Sequence, residues 1–134
     1  MTSSLSTLLP IDKYETERAA QLVALGFPEV EPVIPQILAW VQDLNWPVAR
    51  VFQPFLAGIG SALAPYLRPI LETNDDTWKY SLVVGVIGKS ADLARALRPE
   101  LERLALHPTQ SESAEDLNGL AAEILQQTID EPEA

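Results

Sequence analysis

The sequence predicts an all-α fold, a short right-handed superhelix of stacked helical hairpins, and three observations predict it. Apolar residues recur at three- and four-residue spacing, with no sustained alternation of period two. Proline-led segments repeat: Glu31-Pro32-Val33-Ile34, then Ala64-Pro65-Tyr66-Leu67, then Arg98-Pro99-Glu100-Leu101, each followed by apolar residues on one helix face. The chain has 134 residues, 47% of them hydrophobic, which is enough apolar area for the core of a single domain spanning 1–134. Repeated units of two helices form such a stack because each hairpin buries its apolar faces only against the next.

About seven helices are predicted, in three hairpins plus an N-terminal capping helix. The capping helix, Glu15 to Leu25, ends at the C-cap glycine Gly26, and Pro28 and Pro32 stand where the next begins. Glu31 to Leu44 follows, stopped by Asn45 and Pro47, and Pro47 opens a helix to Ile59 that Gly58 and Gly60 end. Ala62 to Glu72 is separated from Asp76 to Ile87 by Asn74, Asp75 and Asp76, an N-cap cluster. That cluster makes the strand-like run Ser81 to Ile87 read as helix. Ala91 to Leu106 and Ala114 to Ile129 complete the set, joined by a polar loop from His107 to Ser113, the one segment expected to be flexible inside the domain. Residues 1–10 and 130–134 are expected to be flexible ends.

Nineteen acidic residues face nine basic ones, a net charge of −10. The excess lies at the two ends: Arg50 to Arg103 is almost neutral, whereas seven acids and no Lys or Arg follow Arg103. The acids of this last part are expected to line a solvated helix face. Such a field repels phosphate backbones and anionic headgroups, which argues against nucleic acid and membrane surfaces as partners. No cysteine and a single histidine, His107, remove thiolate chemistry and Cys-type zinc sites, so no metal or other cofactor is expected. His107 is expected at a helix C-terminus. The segment Met1 to Pro10 lacks a basic signal-peptide start, and Val51 to Leu67 is broken by proline and glycine before it could cross a bilayer. A cytoplasmic protein is expected.

Three segments carry a resemblance: Leu9-Pro10-Ile11-Asp12-Lys13, Trp40-Val41-Gln42-Asp43-Leu44-Asn45-Trp46-Pro47-Val48-Ala49, and Asn74-Asp75-Asp76-Thr77-Trp78-Lys79-Tyr80. On these the chain resembles an uncharacterised bacterial family of small HEAT-like helical-repeat domains. The resemblance implies a HEAT/armadillo-like superhelix and brings no activity or catalytic residues with it.

The candidate partner-binding residues are Asn45, Trp46, Asp75, Asp76, Trp78, Lys79 and Tyr80. Equivalent turns of stacked hairpins lie side by side, so Trp46 and Trp78 are expected to form one ridge, and Trp and Tyr beside charges are what interaction hot spots use. Each also has a structural reading: Trp46 as a hydrophobic staple, Trp78 as core, Asp75 and Asp76 as caps. Lys79 needs a carboxylate partner, within the protein or on a ligand, because a helix N-terminus disfavours a cation. Asp12 is expected to cap the first helix and Lys13 to pair with an acid of the adjacent hairpin.

No catalytic residues stand out. The carboxylate pairs lack glycosidase logic, and Gly58-Ile59-Gly60 and Gly85-Val86-Ile87-Gly88 lack a phosphate loop's ending. The reading is a non-enzymatic protein-interaction module of unknown partner, monomer or weak homodimer, whose sharper version neutralises a basic partner protein. A repeat-fold enzyme on nucleic acid would need Arg50, Arg68, Lys79 and Arg95 gathered on one face. A purely structural, self-assembling role would need an exposed apolar terminal hairpin.

Overall fold

The computed structural model describes residues 5–130. Among these the chain is all-α, and the elements run α1 (Thr16–Leu25), α2 (Ile34–Ala39), α3 (Pro47–Ile59), α4 (Ala64–Leu71), α5 (Asp76–Gly85), α6 (Ala91–Ala96), α7 (Arg98–Leu106), α8 (Gln110–Ala114) and α9 (Leu117–Asp130). Short 3-10 turns, Glu31–Val33, Gly60–Leu63 and Ile87–Lys89, lead into α2, α4 and α6. The repeated prolines have one local job: Pro32, Pro65 and Pro99 each stand in the first two residues of a helix or 3-10 turn. There the missing N–H has no acceptor to lose and the fixed φ suits the helix.

The ends follow their residues. Gly26 and Gly60 take positive φ, +79° and +76°, and close α1 and α3. Gly58 lies inside α3 and ends nothing. Predicted helices are divided where the backbone tightens: Glu31 to Leu44 stops at Ala39, and Ala91 to Leu106 breaks at Leu97 before Pro99.

The core is one cluster, with Leu22, Ile34, Ile37, Phe52, Leu56, Leu67, Leu82, Leu101 and Leu104 buried. α1 packs on α3, α3 and α4 both meet α5, and α9 lies along α7 while also reaching α6 and α5. Two segments expected to be flexible make defined contacts. Of residues 1–10, Leu5, Leu8 and Leu9 pack against the core, Pro10 is buried, and Arg18 donates to the Thr7 carbonyl at 2.8 Å. Residues 1–4 and 131–134 lie outside the described residues. The polar loop after His107 contains α8, folded by a capping box: the Glu112 N–H donates to Thr109 Oγ1 at 3.1 Å, and the Thr109 N–H donates to Glu112 Oε1 at 2.8 Å. No helix of the described residues is long and apolar enough to cross a membrane.

Candidate functional site

The seven residues proposed as one ridge part into two environments along the first turns of α5. Asp75 is the N-cap of that helix, accepting from the Trp78 N–H at 3.1 Å, and its side chain is exposed. Trp78 then turns toward the end of α2, where its indole Nε1–H donates to the Leu38 carbonyl at 3.0 Å. One turn on, Ser81 Oγ donates to the Gln42 carbonyl at 3.0 Å. α5 is thereby stitched to the 38–42 segment through side chains three residues apart, on one helix face.

That segment collects the aromatic residues. Trp46 is the N-cap of α3, extended at φ −66° and ψ 136° ahead of Pro47, and meets Trp40 edge-on, with centroids 5.9 Å apart and planes at 67°. Both rings are half-buried. Asn45 beside them is exposed, its N–H donating to Asp43 Oδ1 at 2.8 Å. The Val48 N–H donates to the Lys13 carbonyl at 3.1 Å, which brings the lead-in to α1 against the same turn. That lead-in exposes Ile11 at 73% and Tyr14 at 69%, and Tyr80 on α5 is 41% exposed. The equivalence expected of Trp46 and Trp78 does not hold, because Trp46 is an N-cap and Trp78 stands three residues inside its helix. What joins them is the 38–46 segment between.

Lys79 is a correction. It is 2% exposed and cannot line a surface ridge. Lys79 shares a helix face with Leu82, Val83 and Val86, all buried, and that apolar stripe carries it inward. Its Nζ lies 2.7 Å from Glu112 Oε2 and 2.9 Å from Asp76 Oδ1, so the required carboxylate partner is supplied from within. Asp76 belongs to this cluster and not to the ridge. Arg103 closes it with a two-pronged contact, Nη1 to Glu112 Oε1 and Nη2 to Oε2, both at 2.9 Å.

The cluster is balanced, Lys79 and Arg103 against Asp76 and Glu112. Glu112, 1% exposed, receives Arg103 and the Thr109 N–H on one oxygen and Arg103 and Lys79 on the other, which uses the acceptor capacity of a carboxylate. The Arg103 guanidinium first, and then Lys79 and the Thr109 N–H, hold the Glu112 carboxyl well below the usual range against the opposing effect of burial. Asp76 is lowered chiefly by Lys79. Burial works to lower Lys79, but Asp76 and Glu112 outweigh it and raise the ammonium. A carboxylate held ionised and saturated has no proton to give and no free lone pair to take one. The arrangement is a clamp.

Other expectations resolve locally. Asp12 does not cap α1: it accepts from the Tyr14 N–H at 2.9 Å, and Glu15 holds the N-cap position without a side-chain capping bond, its carboxylate accepting instead from the Ile11 N–H. The Lys13 ammonium lies over the Tyr14 ring, 5.4 Å from its centroid, instead of pairing with an acid of the next hairpin. His107 is the C-cap of α7, as expected. Of the acids after Arg103, Glu115, Asp116 and Glu123 are exposed and Glu112 is not. The basic face that a nucleic-acid enzyme would need is not assembled, because Lys79 is inside and Arg68 is paired with Glu100 at 3.4 Å.

Three participants were missed in the sequence: Trp40, Arg103 and Glu112. Thr109-x-x-Glu112 is a capping-box pattern and was readable, but it stands before no long apolar run. Among the described residues no group of three or more His, Asp or Glu is placed to hold a metal ion. No curated protein matches the chain. Residues 8–125 match the family described as a domain of unknown function, DUF5071. With nearly all of the helical domain inside that match, the chain belongs to this family.

Proposed function

We propose that the chain is a non-enzymatic protein-interaction module, a HEAT-like helical repeat of the bacterial cytoplasm, whose partner is a basic protein. The carrying observation is the gathering of Trp40, Trp46 and Trp78 on the 38–46 segment, with the exposed Ile11 and Tyr14 brought beside it through the Lys13–Val48 bond. Large amphipathic rings held by neighbours and left partly open are what binding hot spots are made of. Asp12 stands exposed on the lead-in, Asp75 exposed at the start of α5 and Asp43 half-exposed in the 38–46 segment. A Lys or Arg of the partner meets ring faces and carboxylates together there. The net charge of −10 steers such a partner in and makes association fast and salt-sensitive.

The test is capture from a native lysate on the immobilised protein at low and moderate salt, beside an Ile11→Ser, Tyr14→Ser variant. Both residues are exposed, so the variant keeps its fold. The expected result is a basic protein retained at low salt, weakened at moderate salt and lost from the variant. Equal retention by both proteins, or retention of none, defeats the reading.

A further inference from the structure

The outer face of α3 holds a second surface, independent of the aromatic segment. Arg50, Pro54 and Gly58 follow one another at single-turn intervals along that face, and all three are exposed. Two pockets open on either side of the Pro54–Gly58 line. One, of about 370 Å³, is lined by Phe27, Phe55 and Ile59 beside Pro54 and Gly58. The other, of about 440 Å³, is bounded by Gln53, Ala57, Gly85 and Lys89 with the same two residues. Pro54 and Gly58 are the wall common to both, and the side-chain-free Gly58 keeps that wall low, so the two hollows are taken together as the α3 groove.

Three features of this groove are unexplained by the fold. A Cβ at Gly58 would meet nothing within 4 Å, and its φ is ordinary, so neither packing nor a turn requires glycine there. A glycine in a helix is unfavourable relative to alanine, and Gly60 already ends α3. Pro54, inside the same helix, brings no N–H to the Arg50 carbonyl one turn back. Lastly, among the described residues the Arg50 and Lys89 side chains have no ion pair or hydrogen bond, whereas every other described Lys or Arg is engaged. In a protein of net charge −10, Lys89 borders this surface and Arg50 stands one helical turn before Pro54 on the same face of α3.

We infer that the α3 groove docks an apolar segment of another polypeptide that carries a carboxylate. The apolar side chains of the segment fill the pockets about Pro54 and Gly58, and its Asp or Glu pairs with Lys89 and Arg50. Arg50 to Gly58 spans about 12 Å of helix, the length of a two-turn helix or of about four extended residues.

The test is selection from a display library of random peptides against the wild-type protein, with affinities of the enriched peptides measured by fluorescence anisotropy. Enriched peptides are expected to combine apolar residues with Asp or Glu. Their affinity should fall about tenfold or more in Gly58→Trp, which fills the groove, and in the Arg50→Glu, Lys89→Glu pair, and should weaken with salt. Gly58→Ala, with an unchanged or higher melting temperature, shows that the position tolerates a side chain. Enrichment of peptides without acids, undiminished binding to Gly58→Trp, or no enrichment overturns the inference. So does a wild-type dimer in sedimentation that Gly58→Trp abolishes, since the occupant is then a second copy of the chain.

Discussion

Trp78 and Lys79 are neighbours in the sequence and opposites in the structure. Trp78 leaves α5 toward the 38–46 segment, where rings stay half-open and its indole N–H, with the Ser81 hydroxyl one turn on, does the tethering. Lys79 enters the interior, where it pairs with Asp76 and Glu112, and Glu112 is shared with Arg103. The usual expectation, aromatic inside and lysine outside, is reversed over one residue. At the inner site the shared Glu112 carboxylate has both oxygens filled from within the chain, while the outer site keeps ring surface and exposed carboxylates in reserve.

The sharpest way to break this contrast is to remove the shared carboxylate. Glu112→Ala leaves Lys79 with Asp76 alone and Arg103 without its two-pronged partner, and should lose about 3–5 kcal/mol in urea unfolding, the range for breaking a buried pair. A loss below about 1 kcal/mol would mean that the inner site is no clamp. Acid should act in the same direction. Asp76 and Glu112 are depressed in the folded state, so their stabilisation is complete above the unfolded carboxyl pKa of about 4 and is lost as pH falls through the lower folded values. Lys79 is raised, so its contribution is whole below about pH 10 and lost above. The stability gap between wild type and Glu112→Gln should therefore close as unfolding is repeated from pH 6 down to acid.

A double-mutant cycle of Lys79→Met with Glu112→Gln should return a coupling energy of about 1–3 kcal/mol, and additivity would show that the two act separately. On the outer side, Trp78→Phe keeps a ring and deletes the bond to the Leu38 carbonyl. It should cost about 1 kcal/mol. The smallest effect belongs to the open surface: Ile11→Ser and Tyr14→Ser should each change stability by less than about 0.5 kcal/mol while abolishing partner capture.

Much of the fold was legible because it is written in local signals. The proline at each helix start, the glycines at two helix ends and the Asp75 cap each act within a few residues, and α3 and the capping box obey the same rules. The candidate site was only half legible. Asp75, Trp46 and Trp78 fell on surface segments, but the fate of Lys79 depends on Glu112, 33 residues away, and on Arg103. No periodicity reports a contact between α5 and α8. The inward stripe of Lys79, Leu82, Val83 and Val86 was visible, and a lysine on it was itself the sign that a carboxylate had to arrive from elsewhere. Reading 107–113 as a loop hid that carboxylate among the solvated acids.

The capping box at Thr109 has a consequence for how the chain may be cut. The turn that starts α8 and the group that neutralises Lys79 are the same glutamate. The C-terminal region is therefore a tethered counter-ion for the middle of the molecule as well as two more helices. A chain shortened to end at Leu106 would keep α1 to α7 in sequence and yet leave an ammonium and a guanidinium without their shared anion. Subdivision of this domain has to respect the boundary after α9.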